Sequence, residues 1–162
     1  LREVVTVALA LRDLQHPLTV AVEDYAYGKA QGAHQIGEAQ GLLRCELVQH
    51  DNVRVRLLDP ASVKLFATGN GNADKDSVRA AAVESLPLPP RWQSDKCKTV
   101  REDMADALVL ARMAWTEAQV RLGAVGLDEL DANERRVFLR VTRAFPDNLL
   151  ARPFATREAL DE

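Results

Sequence analysis

The chain has 162 residues and a net charge of −3, with 47% apolar and 28% charged residues. That length and balance suit a soluble globular protein with one sizeable core and an appendage. No global positive field draws such a chain to nucleic acid or to a membrane, so any nucleic-acid contact must use local basic patches.

Leu1 to about Leu14 reads as a helix whose apolar run is broader than one face. The longest apolar run, Val4 to Leu11, is too short to span a bilayer, so no membrane segment is expected. The segment starts at Leu1 rather than Met and has no capping signal before it, which sets the expectation of further chain upstream. His16-Pro17 ends it, because a residue before proline avoids the helical region. Leu18 to Val22 then reads as a strand, β-branched and continuously apolar, as strands buried on both faces are. Glu23 follows at its C-terminal end, where open α/β sheets place their ligand sites.

Asp24 to Gly32 is turn-like and carries Tyr25, Tyr27 and Lys29. From Ala33 to Leu47 the apolar residues Ile36, Ala39, Leu42, Leu43 and Leu47 recur with helical spacing. Gly37 and Gly41 share a face of this helix, which serves either core packing or a dimer seam. Cys45, a free cysteine in the same helix, is expected to face the core. Val53 to Leu58 alternates as a strand does, with Arg54 and Arg56 on one face, solvated or near an acidic partner. Asp59-Pro60 breaks the strand, and Ala61 to Phe66, which holds Lys64, is short and mixed.

Thr68 to Asp74 is a glycine- and asparagine-rich loop, after which Asn72 or Asp74 caps a helix over Lys75 to Glu84. The loop is neither a dinucleotide-binding fingerprint nor a P-loop. Leu86 to Pro90 is a rigid extended segment. Arg91 to Arg101 is basic around Trp92, either a solvated connector or a phosphate-contacting loop. A helix then carries Asp103 and Asp106 and runs to about Val120, ended by Gly123 and Gly126. Trp92 and Trp115 are expected to pack. Asp131 caps a last helix, Asn133 to about Ala144, whose Arg135, Arg136, Arg140 and Arg143 supply a second basic surface. Pro146 stops it, and Asp147 to Glu162 has the look of a loosely attached tail.

Asp103 and Asp106 are the residues that ask for an explanation. Positions i and i+3 share a helix face, where like charges repel. Either a cation lies between them or they are acids in a first turn that suit the helix dipole. Glu23 at a strand end could join them. Carboxylates clustered without histidine or cysteine suit hard cations, magnesium or manganese. The histidines His16, His34 and His50 show no ligand spacing, and Cys45 and Cys97 make neither a disulfide framework nor a metal motif. Two such ions about 3.5–4 Å apart can drive phosphodiester hydrolysis. A glycosidase dyad is disfavoured, because a chain only 5% aromatic offers few sugar platforms.

Taken in order, Val22-Glu23, the helix with Gly37-Glu38-Ala39-Gln40-Gly41, Val63-Lys64, Gly69-Asn70-Gly71-Asn72-Ala73-Asp74-Lys75-Asp76-Ser77-Val78 and Asp103-Met104-Ala105-Asp106-Ala107-Leu108 resemble the RuvC-type Holliday junction resolvases. The resemblance covers residues 1 to about 116 and leaves 117–162 as a C-terminal helical extension and tail. It implies an RNase H-like three-layer α/β fold, a mixed central sheet flanked by helices, here without its N-terminal strands. It implies a homodimer seated on the helix of Gly37 and Gly41, two Mg2+ or Mn2+ ions per site, and nicking of four-way DNA junctions in the cytoplasm of a bacterial or phage-infected cell, with phage favoured.

By the same resemblance Glu23, Asp103 and Asp106 are metal-binding carboxylates, and Lys64 and Lys75 lie near the scissile phosphate. Tyr25, Tyr27 and Lys29 stand where the family contacts DNA, with Ala26 at the position of a stacking aromatic; each tyrosine either stacks on a base or packs in the core or loop. The family's first carboxylate lies on a strand upstream of Leu1, so this chain alone is expected to be a weak or inactive nuclease. The alternatives are an inactive junction-binding protein of the same fold, or a nuclease acting on flaps, forks or RNA–DNA hybrids.

Overall fold

The computed structural model describes residues 17–24, 33–85 and 98–160. In chain order they form β1 (Leu18–Glu23), α1 (Ala33–Val48), β2 (Val53–Leu58), α2 (Pro60–Thr68), α3 (Lys75–Ser85), α4 (Lys98–Arg121), α5 (Ala132–Phe138) and a 3-10 turn at Glu158–Leu160. The expected helix at 1–14, the residues Tyr25, Tyr27 and Lys29, the proline segment and Trp92 lie outside the described residues. The chain is α/β and divides into two compact units, Leu1–Asp59 with Pro153–Glu162, and Pro60–Arg152. Among the described residues no helix is long and apolar enough to cross a membrane.

The first unit is a parallel β-α-β arrangement. β1 and β2 pair in register from Leu18 opposite Val53 to Glu23 opposite Leu58, and α1 is the crossover that parallel strands require. Asn52, with a φ of 62°, makes the tight turn into β2. Val22, Leu47, Val48, Val53 and Val55 form the core, with Val20, Leu43 and Leu57 against it. Two expectations change here. In β1 only Val22 is fully buried and its neighbours are half-buried. Cys45 is exposed, because it lies two residues from both Leu43 and Leu47 and so falls on the opposite face of α1.

Of the two arginines of β2, Arg54 is exposed, as a solvated face requires, and Arg56 is not. Arg56 is buried, donates to the Pro153 carbonyl at 3.0 Å and lies with its guanidinium 4.0 Å from the Phe154 ring centre. Arg54 reaches the same ring at 5.7 Å. Arg54 is nonetheless exposed, whereas Arg56 is buried against the ring. Ala155 and Val55 exchange both backbone hydrogen bonds in an antiparallel bridge, at 2.9 and 3.0 Å. Arg157 reaches Asp51 at 3.1 Å. The C-terminal residues are therefore a clip on β2 and not a loose tail. Single backbone bridges and ring contacts leave no periodicity to read.

The second unit is helical. α2 packs against α3, α4 and α5. Its segment read as short and mixed, yet Pro60 is at the first helical position, where its missing N–H costs nothing. α4 buries Ala105, Val109, Met113, Thr116 and Glu117, while Trp115 is 66% exposed and does not pack. The buried Glu117 accepts from Arg121 Nε at 2.8 Å.

α5 opens with a capping box: Asp131 accepts from the N–H groups of Asn133 and Glu134, and Glu134 reaches back to the Asp131 N–H. The helix ends at Phe138, well before Ala144. The Phe138 carbonyl accepts the Leu149 N–H at 3.1 Å, and the Thr142 N–H turns to the Phe145 carbonyl at 2.9 Å. Continuing the helix would have paired Phe138 with Thr142.

Candidate active site

The register of α4 sets the site. Its buried stripe passes through Ala105 and Val109, so Asp106, one residue on, sits half-buried at the rim and Asp103 is exposed. α4 begins no later than Lys98, which places both aspartates beyond the first turn. The helix-dipole reading therefore falls away, since that effect fades within one turn.

The loop before α3 brings a lysine to this rim. Thr68 Oγ1 donates to the Lys64 carbonyl at 2.8 Å and accepts from the Asn70 N–H at 3.1 Å. Asn70 Oδ1 accepts the Asn72 N–H at 3.0 Å. Gly69 turns the chain at a φ of +77°, and a Cβ on Gly71 would sit 3.2 Å from the Ala61 carbonyl oxygen, so the loop is drawn tight against α2. Asp74 then accepts the Ser77 N–H at 2.7 Å, as an N-cap does, and that bond holds its carboxyl below the usual range.

Lys75 is thereby the first residue of α3, and its Nζ lies 3.5 Å from Glu102 Oε2. Lys64, in the middle of α2, is half-buried. Burial pushes the Asp106 carboxyl up, the charges of Asp103 and Glu102 add to that, and Lys75 and Lys64 offset it only in part. This one carboxyl thus senses both lysines and both neighbouring acids.

In the second unit Asp103, Lys64 and Lys75 are near enough to Asp106 to act on its carboxyl, and so is Glu102, which was not among the expected residues. The signal was there, because Glu102 directly precedes Asp103 and makes three acids within five residues. Glu23 closes β1 in the first unit, half-buried, beside Asp24, whose N–H donates to the Leu58 carbonyl at 2.7 Å. Tyr25, Tyr27 and Lys29 lie outside the described residues.

Among the described residues, no group of three or more histidine, cysteine, aspartate or glutamate side chains is arranged to hold a metal ion. What the second unit does offer is oxygen donors only. Burial, which holds the Asp106 carboxyl above its ordinary value, disfavours its charged form, and positive charge beside it would favour that form. A hard divalent cation would supply that charge and prefers carboxylate oxygen. Asp103 and Asp106 therefore fit such an ion in chemistry, as part of a ligand set.

Fold and site together define an α/β protein with a carboxylate pair flanked by lysines. The chain is 36% identical over 102 residues to the crossover junction endodeoxyribonuclease RuvC of Dictyoglomus thermophilum, covering 62% of this chain and 60% of that protein. It is 31% identical over 116 residues to the protein of the same name from Parasynechococcus marenigrum, covering 68% and 69%. With the one from Synechococcus sp. RCC307 it shares 30% identity over 102 residues, covering 63% and 60%. The chain belongs to the RuvC family of crossover junction endodeoxyribonucleases. It spans about 60% of the length of the two Dictyoglomus relatives. No protein-family model matches it, and no solved structure does.

Proposed function

We propose that this chain forms the core of a metal-dependent, structure-selective endonuclease that cuts phosphodiester bonds in four-way (Holliday) junctions or other branched DNA. The carrying observation is the Asp103–Asp106 pair between Lys64 and Lys75, with the Asp106 carboxyl raised by burial, in a chain of the RuvC family. Asp103, Asp106 and Glu23 would hold Mg2+ or Mn2+, with whatever further carboxylate the complete protein supplies. Bound there, two such ions would activate water and neutralise the leaving oxygen.

The chain's own residues then have separate tasks. Lys75, on an exposed helix start, presents its ammonium to the phosphodiester, and Glu102 limits where that ammonium can go. Lys64, less mobile because half-buried, adds fixed positive charge beside Asp106. Tyr25, Tyr27 and Lys29 are assigned to the DNA backbone and bases on the family resemblance.

We assign the same chain an RNase H-like three-layer fold and a homodimer joined through α1. A Cβ on Gly41 would meet nothing within 4 Å, and Leu42 and Cys45 beside it are exposed, which supports close approach by a second copy. A closed two-fold dimer directs two sites to one junction. A bacterial or phage-infected cytoplasm follows from the same reading.

The test is cleavage of a four-way junction by the complete protein with Mg2+. Glu23→Gln and Asp106→Asn are expected to abolish nicking while junction binding persists. Undiminished nicking by either variant would refute the assignment. An inactive junction-binding protein is the second reading, favoured by the incomplete ligand set among the described residues. It predicts binding without nicking in the unsubstituted protein.

A further inference from the structure

We infer that α5 and the loop after it form a second DNA surface, in which Arg135, Arg136 and Arg143 contact backbone phosphates of a duplex arm away from the cut. The inference rests on the branched-DNA reading above. Its basis is how the chain disposes of its arginines. Arg44 lies 3.9 Å from Asp24, Arg79 3.2 Å from Asp76, Arg112 2.9 Å from Glu134, Arg121 2.8 Å from Glu117 and Arg157 3.1 Å from Asp51. Arg56 is held by a carbonyl and a ring.

Arg135, Arg136 and Arg143 are exposed and, among the described residues, make no ion pair or side-chain hydrogen bond. Positions 132–152 hold five arginines and two acids, and one of those acids, Glu134, is already taken by Arg112. Arg152 lies 3.9 Å over the Phe145 ring and Arg140 reaches Ser62, which leaves Arg135, Arg136 and Arg143 as a local excess of positive charge in a chain with a net charge of −3. A polyanion recognised through its phosphates is what such a surface fits.

The fold presents the three groups on one excursion. Arg135 and Arg136 lie on the outer side of α5, away from buried Glu134, Val137 and Phe138. Thr142 and Phe145 close a turn that puts Arg143 at its tip, and Leu149 ties the end of the loop back to Phe138. Arg140 reaches Ser62 at 3.5 Å, joining the excursion to α2.

The spacing from the carboxylates suits a contact further along an arm. Arg112 holds the start of α5 through Glu134 and Asp131, and it is six residues beyond Asp106 on α4. That separation is about 9 Å along the helix axis. The start of α5 therefore stands on the order of 10 Å along α4 from Asp106. With one phosphate about every 3.4 Å along a strand, that corresponds to a few nucleotides from the scissile bond.

The test is the triple variant R135Q/R136Q/R143Q of the complete protein, bound to a four-way junction over a range of salt. Its slope of log affinity against log salt is expected to fall by up to about 2.7, near 0.9 for each lost phosphate contact. Hydroxyl-radical protection should disappear on arm nucleotides a few positions from the nick and persist at the branch. The matching lysine triple should retain the slope, because an ammonium still pairs with phosphate. An unchanged slope and footprint in the glutamine triple overturns the inference, as does a lysine triple that behaves like glutamine. If the glutamine triple instead loses only a protein ligand, the surface is for that protein and the inference fails. Should the unsubstituted protein bind no branched DNA, the functional reading itself fails, which is a separate result.

Discussion

Arg56 in the first unit and Asp106 in the second are both charges drawn out of water, and their surroundings treat them in opposite ways. Around Arg56 everything compensates: the Pro153 carbonyl accepts from it and the Phe154 ring lies under it. Around Asp106 burial and two neighbouring acids raise the carboxyl, and two lysines offset only part of that. A buried charge whose neighbours satisfy it holds a fold together. One that burial leaves costly to ionise gains from positive charge supplied from outside, and such groups gather at functional sites. Glu134 makes the contrast within the second unit itself. It is buried like Arg56, but it accepts from Arg112 at 2.9 Å and from the Asp131 N–H at 3.3 Å, and so is structural.

If that distinction is right, removing a compensated charge costs stability and removing the one costly to ionise does not. Arg56→Ala should show the largest stability effect, a loss of about 2–4 kcal/mol in urea melts, from a charge-assisted hydrogen bond and the cavity left behind. Glu134→Ala should cost about 1–3 kcal/mol, because Arg112 and the Asp131 N–H both lose their acceptor. Phe154→Leu keeps the apolar cover but removes the ring beneath Arg56, a loss of about 1–2 kcal/mol.

Asp106→Asn should break the pattern. In metal-free buffer it is expected to raise the melting temperature slightly, chiefly because a neutral amide is less costly to bury than a carboxylate, while removing nicking altogether. A destabilised Asp106→Asn would place this residue with Arg56 and Glu134.

The smallest effect concerns pH. Asp74 is held below the ordinary aspartate value, chiefly by the Ser77 N–H. Its folded form binds a proton less readily than the unfolded chain does. Its contribution is therefore present above the ordinary value and lost as pH falls through the depressed folded one. Melts of the protein and of Asp74→Asn, taken from neutral pH downward, should differ in slope only across that acidic window.

The elements most legible in the sequence were those with a local signal, a period, an apolar run or a cap. β1, α1, β2 and α3 lie within a residue or so of their expected bounds. The spacing of Asp103 and Asp106 already put both on one helix face. Where reading failed, a distant partner had decided. α5 stops at Phe138 because Leu149 takes its carbonyl. Arg56 is buried against Phe154, about a hundred residues away in sequence. Pro60 looked like a breaker and proved to be a helix start, since proline serves both and only the packing of α2 tells them apart.

The sequence by itself determined the local elements, the carboxylate pair and the order of motifs that marks the family, because period and spacing are properties of neighbouring residues. Only the tertiary structure decided which charges are compensated. It put Phe154 beneath Arg56, Glu102 beside Lys75 and Glu134 beside Arg112, it half-buried Asp106, and among the described residues it left three arginines of the α5 excursion without an ion pair. The cost of a buried charge depends on what the fold brings near it, and that is written nowhere in its immediate sequence.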